Sequence, residues 1–502
     1  MHPPLPALIH ALLESGRYPD MVQRVELVET HISWVLLAGE FAYKIKKPIT
    51  LPFLDFSTLE KRRNYCEIEL RLNRRFAPAL YLDVIAINGT PENPQLGGAG
   101  IAIEFAVKMR RFDADARLDR VCARGALTPE HISELAQTLV TFHHDTAIAA
   151  VQSHFGEPDA ILSVVQKNLE GLRALLHEPS SQSRLDVLSA WSHAEFQRLQ
   201  PLFTARQAAG RVRECHGDLH LGNLALIDGR VTPFDCIEFN EAFRWIDVAS
   251  EIAFTYMDLL DHRQPGLACW FLNEWLSHGG DLEAVPLLRF YTAYRALVRA
   301  QVAAIRAAQD QGDMHEAQRY LALTEEIVSP PRPRLIITHG LSGCGKTVAS
   351  TRLLLDDPSA TTLRLRSDVE RKRLFGLAPQ DRSDSAIGSS IYQPPASQRT
   401  YRHLLELARL QLAAGWSTVV DAAFLRREER AAFQTLALEA GVAFFILAPQ
   451  ASPVQLRKRI TERLKSGRDA SEATLDVLDQ QMDWIEPLDA DETRHLLPIA
   501  AA

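Results

Sequence analysis

The chain has 502 residues, 46% hydrophobic and 24% charged, which is ordinary for a globular protein but too long for one core, so two or three domains are expected. Its formal net charge of -8 argues against a broad electrostatic grip on nucleic acid or an anionic membrane and leaves small neutral or cationic partners open. Six cysteines (Cys66, Cys122, Cys215, Cys236, Cys269, Cys344) form no C-x-x-C pair and no zinc spacing, a pattern that suits a reducing compartment. Met1 to Asp20 lacks a basic stretch followed by an apolar core, and no apolar run reaches the ~20 residues that span a bilayer. The expectation is a soluble, cytoplasmic protein without a signal peptide.

In chain order, Val25-Glu26-Leu27-Val28 and Trp34-Val35-Leu36-Leu37 read as strands, and Gly39-Glu40 turns into a third, Phe41 to Lys46. Lys44 and Lys46 share one face of that strand by the period of two; with Lys47, a solvated lysine cluster is the plain alternative to a functional cation. Ser57-Thr58-Leu59-Glu60 reads as a capping box opening a helix to about Arg75. At about 100° per residue, Leu59, Cys66, Leu70 and Asn73 cluster, Tyr65, Leu72 and Ile68 widen the arc, and Glu69 falls inside it while Glu67 points away. A carboxylate on a buried face needs a partner, and Lys44 would supply one. Two further strands, Leu80 to Ile87 and Ile101 to Lys108, are separated by a Gly/Pro/Asn-rich loop, Asn88 to Gly100. Residues 1–110 thus read as one strand-rich part. From Thr128-Pro129-Glu130, a cap hydroxyl followed by proline at the first helical position, helical patterns dominate to Glu326, so 111–327 reads as helix-rich.

Within this second part lies His216-Gly217-Asp218-Leu219-His220-Leu221-Gly222-Asn223, where Asp218 and Asn223 have the D-x-x-x-x-N spacing of a kinase catalytic loop. Asp228-Gly229 between apolar runs predicts a hairpin that returns the chain through Val231-Thr232-Pro233-Phe234 to Asp235, beside Asn223. Phosphoryl transfer from ATP needs an aspartate at the acceptor hydroxyl, magnesium ligands and a cation on the phosphates. The bland reading of His-Gly-Asp alone is a tight polar turn. With Ala42-Tyr43-Lys44 as an A-x-K strand and a helix-rich lobe entered after Val107-Lys108-Met109-Arg110, residues 1 to about 325 resemble the aminoglycoside phosphotransferase and choline kinase-like superfamily. The resemblance implies a protein-kinase-like bilobal fold, 1–110 being the N-lobe and 111–327 the C-lobe. It implies Asp218 as catalytic base, Asn223 and Asp235 as magnesium ligands, Lys44 as the phosphate-binding lysine with Glu69 as its partner, and a small hydroxylated substrate. Leu221 stands where the family usually has proline, and Glu29-Thr30-His31-Ile32-Ser33 stands where a G-x-G-x-x-G loop would cover the nucleotide.

Val328-Ser329-Pro330-Pro331-Arg332-Pro333-Arg334 reads as a linker, because its prolines fix φ and remove donors. After it, in 335–502, Leu335-Ile336-Ile337-Thr338 reads as a buried strand running into Gly340-Leu341-Ser342-Gly343-Cys344-Gly345-Lys346-Thr347, with a helix from Val348 to Leu355. This is the G-x-x-x-x-G-K-[ST] P-loop in its strand–loop–helix setting. Gly340, Ser342, Gly343, Cys344 and Gly345 would present backbone N–H groups to phosphates, Lys346 would reach the β/γ-phosphates, and Thr347 would ligate Mg2+. Cys344 reads as a small filler of the loop. Leu363 to Asp368 reads as a strand ending in an acid; Asp368 is a candidate base and Arg371 a candidate substrate ligand, against a helix cap with a solvated basic face. Thr418-Val419-Val420-Asp421 ends in a second acid suited to Mg2+ or substrate. Arg457, Arg459 and Arg463, then Gly467-Arg468-Asp469-Ala470-Ser471-Glu472-Ala473, read as a lid, with Arg463 a candidate for neutralising transition-state charge; an exposed basic helix is the alternative.

These stretches, with Arg366-Ser367-Asp368-Val369-Glu370-Arg371, resemble the AAA-type P-loop kinases. The fold class expected is therefore mixed α/β and α+β: a kinase-like bilobal part, then a P-loop NTPase domain with a parallel sheet flanked by helices. The joined architecture resembles bacterial two-domain proteins in which an aminoglycoside phosphotransferase is fused to a kinase domain. It implies an ATP- and Mg2+-dependent phosphotransferase with two sites. A nucleotide-responsive regulatory protein, suggested by the missing glycine loop, is the alternative. A nucleic-acid kinase lacks a basic stripe with interleaved aromatics to support it.

Overall fold

The computed structural model describes residues 5–19, 22–51, 54–150, 152–310, 312–379, 381, 394–466, 471 and 473–498. Its contacts divide the chain into two compact units, one of Met1–Leu127, Asp145–Ile161 and Leu202–Thr255, the other of Thr128–His144, Leu162–Pro201 and Tyr256–Ala502. The division does not fall at the proline-rich stretch 328–334. Helices that precede that stretch belong to the same unit as the sheet that follows it.

The first unit is built on a six-stranded antiparallel sheet in the spatial order Val25–Glu29, Ser33–Ala38, Phe41–Lys46, Ala102–Arg110, Tyr81–Thr90, Asn93–Leu96. Strand Phe41–Lys46 is buried along most of its length. Tyr43 and Ile45 pack with Ile9, Leu12 and Leu36, whereas Ala42 on the opposite face packs with Cys66, Leu80 and Val107. Lys44 and Lys46 share that second face by strand alternation. The helix across it runs Leu59–Asn73. Its N-cap is Thr58, whose hydroxyl accepts from Lys61 N at 3.2 Å, while the Ser57 hydroxyl donates to Asp55 Oδ1 at 2.6 Å. The capping box expected from Ser57 is thus replaced by a single Thr58 cap, because Asp55 competes for the serine.

The expected loop Asn88 to Gly100 is also more ordered than its composition suggests. Tyr81–Thr90 turns at Pro91-Glu92 and pairs with Asn93–Leu96. Pro94 is tolerated there because this strand lies at the sheet edge, where a missing N–H breaks no inner ladder. The hairpin after the His-Gly-Asp loop forms as expected, Leu224–Ile227 pairing with Arg230–Pro233. Asp228 and Gly229 have φ of 51° and 76°, the two positive values that a type I′ turn requires.

The second unit contains a parallel sheet in the order Thr362–Arg366, Ser417–Asp421, Arg334–Thr338, Ala443–Leu447. Its first strand in sequence lies between the third and the fourth, so the winding reverses there. The crevice at the carboxyl ends of such a sheet is where ligands bind. The outer strand Thr362–Arg366 is covered by helix Pro265–Gly279. From that helix Asn273 donates Nδ2 to Thr362 O at 2.9 Å and accepts from Arg364 N at 2.6 Å, as a neighbouring strand would. Among the described residues, no helix is long and apolar enough to cross a membrane.

Candidate active sites

In the first unit, the shared face of strand Phe41–Lys46 meets the buried face of helix Leu59–Asn73. Lys44 Nζ lies 2.8 Å from Glu69 Oε1 and 2.5 Å from Asp235 Oδ1. Lys46 Nζ lies 2.7 Å from Glu69 Oε2 and is also paired with Glu238. Burial opposes ionisation of Glu69, but Lys44 and Lys46 outweigh it and hold the carboxyl well below its ordinary range. Burial likewise works against the Lys44 charge, and Asp235 and Glu69 overcome it, raising the ammonium well above its usual value. Burial, only partly offset by Lys46, raises the Glu238 carboxyl.

The His216–Asn223 loop is set by one glycine and one histidine. Gly217 has φ of +90°, and a Cβ there would stand 2.7 Å from Phe243 O, so a side chain is excluded by both strain and space. His216 is fully buried. Its backbone N–H donates to the Glu251 carboxylate at 2.8 Å, Nε2 lies 2.8 Å from Phe234 O, and Nδ1 accepts from Asp218 N at 3.3 Å. Those contacts fit the neutral ring protonated at Nε2, and burial lowers its pKa accordingly. Asn223 donates Nδ2 to Asp218 O at 2.9 Å and to Asp218 Oδ2 at 3.0 Å. Phe234 N donates to Asn223 O at 3.0 Å, closing the hairpin and bringing Asp235 beside Asn223. His220 Nδ1 accepts from Gly222 N at 3.1 Å, which leaves Nε2 facing Asp218 Oδ2 at 3.4 Å.

The structure therefore gathers Lys44, Glu69 and Asp235 in one ion-pair network and places Asp218 with Asn223. Sequence reasoning did not mark Glu238 or His220. Three signals could have found the wider network: Lys46 on the same strand face, an acid three residues after Asp235, and a second histidine in the loop. The amide oxygen of Asn223 and the carboxylates of Asp235 and Asp218 are the hard oxygen donors that a divalent cation of the Mg2+ type takes. The Asp235 side chain is 42% exposed, open to an incoming ligand.

In the second unit, strand Arg334–Thr338 leads into the P-loop and helix Lys346–Leu355 leaves it. Gly343 has φ of +83°, and a Cβ there would lie 3.0 Å from Leu456 O. Lys346 Nζ donates to Gly340 O at 2.8 Å and Leu341 O at 2.9 Å, folding over the mouth of its own loop. Ser342 N donates to Gln481 Oε1 at 2.8 Å, and Arg459 Nη1 donates to Gly343 O at 3.2 Å. Cys344 is buried, its Sγ 2.8 Å from where a Cβ on Gly340 would be, consistent with a filler. Asp421 is buried at the end of its strand, and its Oδ2 lies 3.3 Å from the Ser350 hydroxyl, one helical turn beyond Thr347. The Thr347 hydroxyl and the Asp421 carboxylate again make a donor set suited to Mg2+.

Two expectations shift in this unit. The strand expected to end in Asp368 stops at Arg366, and Asp368 stands in the first turn of helix Ser367–Leu374, 3.6 Å from Arg371. A short polar stretch at a strand end leaves the boundary open by a residue or two. Of the lid arginines, Arg459 reaches the P-loop, whereas Arg463 donates to Ala473 O at 3.0 Å and Arg457 pairs with Asp479 at 2.5 Å. Gly467, Arg468, Asp469, Ala470 and Glu472 of the expected lid lie outside the described residues.

A strand lysine paired to a helix glutamate, with a His-Gly-Asp loop and a returning hairpin acid, is the arrangement of a protein-kinase-like fold. The parallel sheet with its strand–loop–helix G-x-x-x-x-G-K-[ST] motif is that of a P-loop domain, so the chain joins a kinase-like part to a P-loop part. Residues 335–488 match the family model described as an AAA domain. Over nearly its whole length the chain is similar to the uncharacterized protein Rv2004c of Mycobacterium tuberculosis, 29% identical over 465 residues, 92% of this chain and 91% of that protein. Among solved structures it is similar to a choline/ethanolamine kinase family protein from Mesorhizobium loti, at 12% identity and a TM-score of 0.40 over 65% of this chain and 96% of that one. It is also similar to the APS kinase CysC of Mycobacterium tuberculosis in complex with AMPPNP and APS, at 24% identity and a TM-score of 0.23 over 29% of this chain and 78% of that one.

Proposed function

We propose that the chain is an ATP-dependent phosphotransferase with two sites, each transferring the γ-phosphoryl group of ATP to a hydroxyl of a small molecule. The observation that carries this reading is the ion-pair network in which Lys44 meets both Glu69 and Asp235, the latter 191 residues away in sequence. In the first site, the Asp218 carboxylate accepts the acceptor's hydroxyl proton, and Asn223 holds Asp218 by donating to its Oδ2 and to its main-chain oxygen. As the acceptor oxygen bonds to the γ-phosphorus, the bond to the β–γ bridging oxygen breaks and ADP leaves. Lys44, held by Glu69, neutralises phosphate charge. Mg2+, held by Asn223 and Asp235, would offset the charge that builds on the transferred group. In the second site, Lys346 would exchange its loop carbonyls for phosphate oxygens, the loop's N–H groups would cradle the phosphates, Thr347 and Asp421 would hold Mg2+, and Asp368 is the candidate base. Arg463 is the candidate lid cation. A cytoplasmic setting and small hydroxylated acceptors, without nucleic-acid or membrane partners, complete the proposal.

One observation favours the regulatory alternative for the first site. The turn in place of a glycine loop is closed tightly, Thr30 N donating to Ser33 O at 2.9 Å and Ser33 N to Thr30 Oγ1 at 3.0 Å. ATP consumption by the full-length chain against a panel of hydroxylated metabolites separates the readings. Asp218→Asn is expected to remove first-site turnover by ~10²–10⁴-fold, Lys346→Ala to remove second-site turnover by ~10²-fold or more, and chelation of divalent cations to remove both. Turnover untouched by Lys346→Ala would sink the P-loop assignment, and the absence of any Asp218-dependent turnover would leave the regulatory reading for the first site.

A further inference from the structure

Lys46 is fully buried and ion-paired on both sides, and the transfer mechanism above gives it no task. We infer that Lys46 and Glu238 are positioning residues of the first site, locking Glu69 and the segment that bears Asp235 so that Lys44 can exchange Asp235 for a nucleotide phosphate without losing its place. The inference rests on the kinase reading of that site.

The geometry is a closed circuit. Glu69 has both oxygens engaged, Oε1 by Lys44 at 2.8 Å and Oε2 by Lys46 at 2.7 Å, so its carboxylate has one orientation. Lys44 continues to Asp235 and Lys46 to Glu238. Those two acids lie on one segment three residues apart, and the backbone between them completes the ring. The segment is pinned along its length. Asp235, itself at φ of +63°, donates its N–H to Tyr81 Oη at 3.0 Å. Cys236 N donates to Asn73 Oδ1 at 2.9 Å, Ile237 N to His216 O at 3.0 Å, and Arg244 Nη1 to Glu238 O at 3.2 Å.

The ring holds three carboxylates and two ammonium groups. A ligand carrying a divalent cation and phosphates re-partners Asp235 with the cation and Lys44 with a phosphate. The Glu69–Lys46–Glu238 half is buried and offers such a ligand almost no surface: Lys46 is 0% and Glu238 3% exposed, and the Phe56 ring lies 5.0 Å from the Lys46 ammonium. That half therefore stays in place during the exchange and fixes the angle from which Lys44 approaches. Buried ion pairs contribute little to stability that an apolar pair could not. Their distinctive contribution is to orientation.

The test uses the full-length chain carrying Lys346→Ala, which leaves the first site as the nucleotide site under study, and a non-hydrolysable ATP analogue with Mg2+ as the probe. Adding Lys46→Met is expected to weaken analogue binding by about tenfold or more, as loss of a residue supporting a metal ligand does. Because Lys46→Met alone leaves Glu238 buried without its cation and can unfold the unit, Lys46→Met/Glu238→Leu is measured beside it. This double variant removes both charges, and is expected to melt close to the parent while still binding about tenfold or more weakly. Parent-like binding by the double variant would overturn the inference and leave the proposed function standing. No binding by the Lys346→Ala parent would overturn both.

Discussion

His216 shows how a single side chain in the first site ties charge state to structure. Its two ring nitrogens have contacts that only the neutral ring satisfies, Nε2 with Phe234 O and Nδ1 with Asp218 N. Burial lowers its pKa below the ordinary value, so below about pH 6.5 the unfolded chain binds a proton that the folded chain refuses. Stability from this residue is therefore complete above that pH and is lost as the pH falls through it. The urea midpoint is expected to drop between pH 7.5 and pH 5, and His216→Asn to flatten that slope by about one proton's worth. A slope unchanged in the variant would assign the pH dependence elsewhere. Glu69 acts in the opposite range: its lowered pKa keeps its contribution intact above about pH 4.3 and surrenders it only in stronger acid. Of these two residues, Glu69 was legible in the sequence because helical periodicity put an acid on an apolar face. The tautomer of His216 was not, because Phe234 and Asp218 approach it only through the hairpin.

At the scale of elements, local signals carried most of the expectations that held. The D-G turn fixed the hairpin and hence the nearness of Asn223 and Asp235; the strand–loop–helix setting fixed the P-loop. What local signals missed were competitions between neighbours, such as Asp55 drawing the Ser57 hydroxyl away from the cap, and a short edge strand, Asn93–Leu96, in a stretch whose composition reads as loop. The outer strand Thr362–Arg366 presents a further element-scale case. Asn273 gives it the donor and acceptor of a missing neighbour strand. Asn273→Leu leaves Arg364 N buried without its acceptor, while Thr362 O keeps the Cys269 thiol at 3.1 Å, and is expected to lower stability by about 1–3 kcal/mol. Denaturant melting of the full chain checks this, and a change near zero would mean that water or a shifted strand takes the amide's place.

For the molecule as a whole, the proline-rich stretch 328–334 marks a break in secondary structure but not in packing. Helix Pro265–Gly279 covers the sheet edge, and Arg289 from helix Val285–Asp310 donates to Ala414 O at 3.1 Å and Gly415 O at 3.0 Å. A fragment beginning at residue 335 exposes that edge and leaves those carbonyls without Arg289. It is expected to melt lower than the full chain and to associate at high concentration, as unpaired edges do. A monomeric fragment of full-chain stability would refute this. The sequence by itself determined the P-loop, the Asp218–Asn223 spacing and the placing of Glu69 on the buried face of its helix, because each depends on a local period or a fixed short spacing. Only the tertiary structure decided that Lys46 and Glu238 close a ring with Lys44 and Glu69, and that helices before the prolines complete the sheet after them. Those contacts join residues far apart in the chain, and no spacing along the sequence encodes which of many buried acids or amides the fold will bring to a given partner.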